Sequence, residues 1–153
     1  MSVISSIFGA FNSMSVQFST DTQYTVHTWN YTNLDGSKQQ ACPQRYLACS
    51  GSLQGDMGFV TLGKLTSIEW TIVDTLLLKP ATEGDALKEN NGRIVSYIVA
   101  YIAAVRSMRA PTAQSHVKDI KFVPGLYYWP EDTAGVPYVG VQITCTVQEV
   151  LST

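Results

Sequence analysis

The longest helical pattern lies between Thr82 and Met108. Its apolar positions are Leu87, Ile94, Ile98, Tyr101, Val105 and Met108, and Val95, Val99 and Ile102 widen the stripe. Steps of three and four put these side chains on one face of an α-helix. The pattern predicts a main helix over residues 84–109, with Thr82 and Asp85 as a capping pair and Arg106 and Arg109 near the negative end. Pro111 stops the run. Asn90-Asn91-Gly92 interrupts it and offers a second start near residue 92.

Period-two alternation dominates the rest. From Tyr138 to Leu151, Val139, Val141, Ile143, Cys145, Val147 and Leu151 face one way, and Tyr138, Gln142, Thr144, Thr146 and Gln148 face the other. In Thr66–Lys79, Ile68, Trp70, Ile72, Leu76 and Leu78 share a face that Asp74 interrupts. A strand of about 14 residues spans roughly 46 Å. That length predicts a part that projects beyond the sheet or pairs with another subunit. Further strands are expected over 23–32, around Arg45–Cys49, over Phe59–Leu62 and over His116–Val123. Asp35-Gly36 predicts a hairpin turn between the first two of these. Gly51, Gly55 and Gly58 punctuate a loop, and Pro124-Gly125 breaks the strand before an aromatic loop over 124–136.

Residues 2–14 carry Val3, Ile4, Ile7, Phe8 and Phe11 at helical spacing, a short amphipathic helix. It either packs on its own domain or serves as an arm on a neighbouring subunit. One buried and one polar strand face mean an antiparallel sheet with helices on one side, an α+β fold. The expected architecture is one domain, 1–153. Its core is an antiparallel or mixed β-sheet of about four to six strands, with one long amphipathic helix and a short N-terminal helix on one face.

Composition narrows the classes. The chain has 153 residues, enough for one real core, and only 14% of them are charged. Charge so sparse means that much of the surface is neutral polar or covered by neighbours, and the many Thr, Ser, Gln and Tyr suit sheets and wet interfaces better than a lone, highly charged monomer. A net charge of −2 gives no bulk attraction to nucleic acid. No apolar run is long enough to span a membrane. The N-terminus lacks the charged region of a signal peptide. Cys42, Cys49 and Cys145 match neither a zinc knuckle nor a redox pair and read as reduced thiols, with a Cys42–Cys49 bridge the lesser option.

Candidate chemistry fails on its physical requirements. Gly58–Leu65 has the G-x-x-x-x-G-K core of a phosphate loop, but Leu65 replaces the Mg²⁺-binding hydroxyl and a strand replaces the helix. His27 and His116 lack ligand partners at helical spacing, and no His flanks a Cys. Glu69 and Asp74, five apart on one strand, point to opposite faces. Asp74 needs a cationic partner, for which Arg93 and Arg106 are the candidates. The aromatic run Leu126–Pro130 lacks basic interleaving, with Glu131 and Asp132 adjacent, so it reads as packing or subunit contact and not as base stacking.

The order of parts resembles the tail-terminator and tail-completion (neck) proteins of long-tailed bacteriophages. The resemblance rests on Phe59–Lys64, Ile68–Asp74, the helix through Tyr97 and Tyr101, and Pro137–Thr144. It implies a non-enzymatic subunit without catalytic, metal or cofactor residues. Such a subunit forms a homo-oligomeric ring, commonly of six, at the head-proximal end of the tail tube. Its partners would be its own copies, the tail tube protein and head–tail connector or neck proteins, with no membrane and no sequence-specific nucleic acid. Its place would be the virion, after assembly in the host cytoplasm. The candidate subunit-interface residues are Phe8, Phe11, Trp70, Tyr127, Tyr128, Trp129, Glu131 and Asp132. Two alternatives stand beside this reading: another virion component, such as a tail tube or decoration protein, and a small-ligand domain using a pocket between the main helix and the aromatic cluster.

Overall fold

The computed structural model describes residues 3–18, 22–23, 26–28, 43–48, 54–59, 65–81, 90–108, 110–128, 135 and 137–152. The elements run α1 (Val3–Ser13), β1 (Gln17–Phe18), β2 (Thr22–Gln23), β3 (Val26–Thr28), β4 (Gln44–Ala48), β5 (Gln54–Phe59), β6 (Leu65–Pro80), α2 (Asn91–Met108), β7 (Ser115–Tyr127) and β8 (Tyr138–Ser152). The fold is α+β.

β6 is the spine of a six-stranded sheet ordered β3-β4-β6-β8-β7, with β5 also paired to β6. β8 runs antiparallel along the whole of β6, from Leu65↔Ser152 to Pro80↔Tyr138. On the opposite edge β5 pairs with Thr66–Thr71 and β4 with Val73–Leu77. The length of β6 is therefore absorbed within the chain: two short strands lie end to end along one edge. This corrects the expectation that part of it projects or pairs with another subunit. Gln54–Phe59 is strand and not loop, because the ladder to β6 outweighs the low strand preference of Gly55 and Gly58.

β3 and β4 are parallel, with Val26↔Arg45 and Thr28↔Leu47 in register. The hairpin expected at Asp35-Gly36 is thereby corrected, since a two-residue turn joins antiparallel strands only. The turn itself lies outside the described residues, as does the capping pair Thr82 and Asp85. At the start of α2 the Asn90 carbonyl accepts the first helical bond, from the Ile94 N–H at 2.9 Å.

α1 and α2 cover one face of the sheet. The core joins Ile7 and Phe11 of α1 and Ile94, Tyr97, Tyr101 and Val105 of α2 to Ile72, Leu76 and Leu78 of β6 and Val139, Val141, Ile143, Cys145 and Val147 of β8. Each fully buried aliphatic side chain here contributes about 2 kcal/mol of transfer free energy. The buried stripe of α2 is set by Tyr97 in place of Ile98, which is half-buried, while Val95 and Val99 are exposed. Rings knit the layers: Phe18 meets Tyr97 edge-on at 5.7 Å, and Tyr101 meets Phe122 edge-on at 6.1 Å.

β7 continues through Pro124-Gly125 to Tyr127. Pro124 is tolerated because β7 is the edge strand, where one side of the backbone needs no ladder partner. Gly140, opposite Leu77, has no alternative: a Cβ there would lie 2.0 Å from the Leu76 carbonyl oxygen.

Candidate functional site

The densest polar group in the described structure sits between the sheet and the helices. Alternation on β6 turns Asp74 inward with Leu76. Antiparallel pairing sets Leu47 opposite Asp74 and Arg45 opposite Leu76, so Arg45 lies diagonal to Asp74 on the same face. The Arg45 Nε donates to both Asp74 oxygens, at 3.0 and 2.8 Å, and Nη2 lies 2.7 Å from Oδ2. Nη1 donates to the Met14 carbonyl at 2.5 Å and Nη2 to the Phe11 carbonyl at 2.9 Å. The Tyr101 hydroxyl donates to Asp74 Oδ2 at 2.8 Å, and its ring lies under the guanidinium at 5.5 Å. The Cys145 Sγ is 3.7 Å from that hydroxyl.

This arrangement corrects the sequence expectation for Asp74. Its partner is Arg45, and Arg93 and Arg106 are exposed on α2. The electrostatics favour fixed protonation states. Burial alone would lower the Arg45 pKa, but the charge and hydrogen bonds of Asp74 more than offset it, so the guanidinium ends above its ordinary value. Burial, then the Asp74 charge, hold the Tyr101 hydroxyl well above its usual pKa. Burial likewise pushes the Cys145 thiol up to about 12, so it is not a thiolate near neutral pH. Arg45 and Asp74 are fully buried. The guanidinium supplies donors for the carbonyls of Phe11, in the last turn of α1, and of Met14, just beyond it. The cluster is a clamp that seats α1 on the sheet.

A second buried carboxylate escaped the sequence reading. Glu149 lies on the apolar side of β8 and is 1% exposed. Its Oε2 accepts a 2.8 Å bond from the Trp70 indole N–H, and among the described residues its Oε1 has no hydrogen-bond partner. The alternation of β8 placed Glu149 among Val147 and Leu151, and that was the available signal. Glu69 points the other way, as expected, and pairs with Lys118 of β7 on the outer face.

The expected interface residues separate. Phe11 is fully buried in the core of its own chain, so it is not available to a neighbour, and Phe8 packs beside it. α1 thus docks on its own domain because Ile7, Phe11 and the Arg45 clamp hold it there. Trp70 is half-buried and bonded within its own sheet. Tyr127 is half-buried, and its hydroxyl donates to the Val123 carbonyl of its own strand. Tyr128 is exposed at the end of β7. Trp129, Glu131 and Asp132 lie outside the described residues, as do Cys42, Cys49 and residues 60–64 of the phosphate-loop-like run; the ends of that run, Gly58-Phe59 and Leu65, are strand.

A groove of about 550 Å³ separates the C-terminal ends of α1 and α2, lined by Ala10, Ser13, Met14, Ala104, Ser107 and Met108 among others. It is not the expected pocket, because Tyr127 and Tyr128 do not line it. The hydroxyls of Ser13 and Ser107 turn back to the carbonyls of Gly9 and Ala103 in their own helices, at 2.8 and 2.9 Å. Among the described residues, no three His, Cys, Asp or Glu side chains stand together as a metal site. No protein-family model matches the chain, and no curated protein sequence matches it.

Proposed function

We propose that this chain is a structural virion subunit of a long-tailed phage, acting as a tail terminator that forms a ring at the head-proximal end of the tail tube. The observation that carries the reading is the apolar end of β7. Val123, Leu126 and Tyr128 are 55%, 52% and 46% exposed. Val123 stands opposite Gln142 and Leu126 opposite Val139, so the two lie on opposite faces of the sheet. A free monomer leaves this apolar corner in water, whereas a neighbour would cover it. The corner begins the 124–136 region that the resemblance makes a contact with other subunits.

Other features support an assembly role. Charge is sparse, at 14% of residues. The buried polar side chains are directed into the fold, Arg45 and Asp74 clamping α1 and Trp70 holding Glu149. In this reading the partners are further copies, the tail tube protein and head–tail connector or neck proteins. The chain acts without catalysis or cofactor.

The test is negative-stain microscopy of the purified chain, alone and with preformed tail tubes, for wild type and for a Leu126→Asp, Tyr128→Asp variant. The expected result is a closed ring, alone or on tube ends, that the variant loses while keeping its circular dichroism. A wild-type chain that neither forms rings nor binds tubes overturns the reading.

A further inference from the structure

β7 is the last strand of the sheet, and among the described residues no strand lies along its outer side. Lys118 falls at the register shift between Val117 and Asp119, and its ammonium reaches back to Glu69. Lys118, one of the two lysines of this edge strand, is therefore engaged within its own sheet. Beyond the bulge the strand is regular. Asp119 stands opposite Thr146, Ile120 opposite Cys145 and Lys121 opposite Thr144. Cys145 is buried under the helices, so Asp119 and Lys121 project from the opposite face, and both are exposed.

We infer that two copies of this chain pair edge to edge through β7, antiparallel, about a two-fold axis at Ile120 perpendicular to the sheet. Such an axis keeps the helix-covered faces of both copies on one side. It sets Asp119 opposite Lys121 of the second copy, and Lys121 opposite the second copy's Asp119, two cross-strand ion pairs from one contact. The edge N–H and C=O groups of both strands gain partners, and Pro124, which has no N–H, ends the ladder. A net charge of −2 offers little repulsion to a second copy. The contact is independent of the ring reading. A ring with different partners on its two faces joins subunits head to tail, so the two-fold pair is a form of the free subunit with its sheet edge sealed.

The test is sedimentation equilibrium of the full chain over a concentration series for four proteins: wild type, Asp119→Lys, Lys121→Asp and the double swap. Wild type is expected to dimerise. Each single change opposes like charges twice and is expected to raise Kd about tenfold. The double swap restores both pairs with inverted sign and is expected to return Kd to near the wild-type value. Both residues are exposed, so circular dichroism is expected to be unchanged in all four. Dimerisation indifferent to the single changes, a double swap that fails to restore it, or a wild-type chain monomeric into the millimolar range each overturns the inference. Tail-tube binding by the same proteins is scored separately and bears only on the ring reading.

Discussion

Arg45 and Asp74, 29 residues apart in sequence, form a fully buried ion pair whose guanidinium also holds the carbonyls of Phe11 and Met14. Removing either partner strands a charge in the core. Arg45→Met or Asp74→Leu is expected to cost about 3–5 kcal/mol by urea denaturation, and the double variant less than the sum of the two. Because Arg45 also caps α1, Arg45→Met is expected to speed hydrogen exchange in α1 more than Asp74→Leu does. Equal exchange in both variants would argue against the clamp.

The two faces of α2 differ sharply. Ile94 is 1% exposed and Val99 is 63% exposed. Ile94→Asp buries an unpaired carboxylate and is expected to abolish cooperative folding. Val99→Asp is expected to shift stability by less than about 1 kcal/mol. Thermal unfolding followed by circular dichroism separates the two, and similar melting temperatures would place the helix face wrongly.

Two glycines make an opposed pair. At Gly140 a Cβ meets the Leu76 carbonyl oxygen at 2.0 Å, whereas at Gly9 it meets nothing within 4 Å. Gly140→Ala must displace backbone where β8 pairs with β6 at Leu77 and is expected to cost about 3 kcal/mol or more. Gly9→Ala lies inside α1 and is expected to stabilise by about 0.5–1 kcal/mol. Urea midpoints of the two variants check both signs.

Alkaline pH attacks the same core. The Cys145 pKa rises from an ordinary 9.0 to about 12 on burial. The folded state therefore binds this proton more tightly than the unfolded state. The resulting stability is fully present below about pH 9 and is lost as pH rises toward 12. Tyr101, also raised by burial, adds in the same direction from above its ordinary 10.0. Denaturant titrations from pH 8 upward (roughly one-unit steps) are expected to show this fall, and Cys145→Ala to delay its onset. A Cys145→Ala slope identical to wild type would exclude the thiol as a contributor.

Much of the fold was legible along the chain. Where one face of an element is buried, its period appears in the local sequence, so β8 and the core face of β6 could be read from alternation, and α1 from Ile7 and Phe11. The α2 stripe keeps the expected Ile94, Tyr101 and Val105 but buries Tyr97, which the apolar pattern passes over, in place of Ile98. The Tyr97 ring packs on Phe18 and Tyr101. Glu149 was visible in the alternation of β8 but had no visible partner.

What the sequence by itself determined is therefore periodicity: the α+β class, the strand faces, one long helix and an inward Asp74 in need of a cation. Only the tertiary structure decided which elements meet. It laid β5 and β4 end to end on one edge of β6, set β3 parallel to β4, brought Arg45 to Asp74 and put β7 last in the sheet order. The reason is physical. Burial of a face depends on residues two to four apart, whereas strand order and charge pairing depend on contacts between distant segments, whose closure has no local signature.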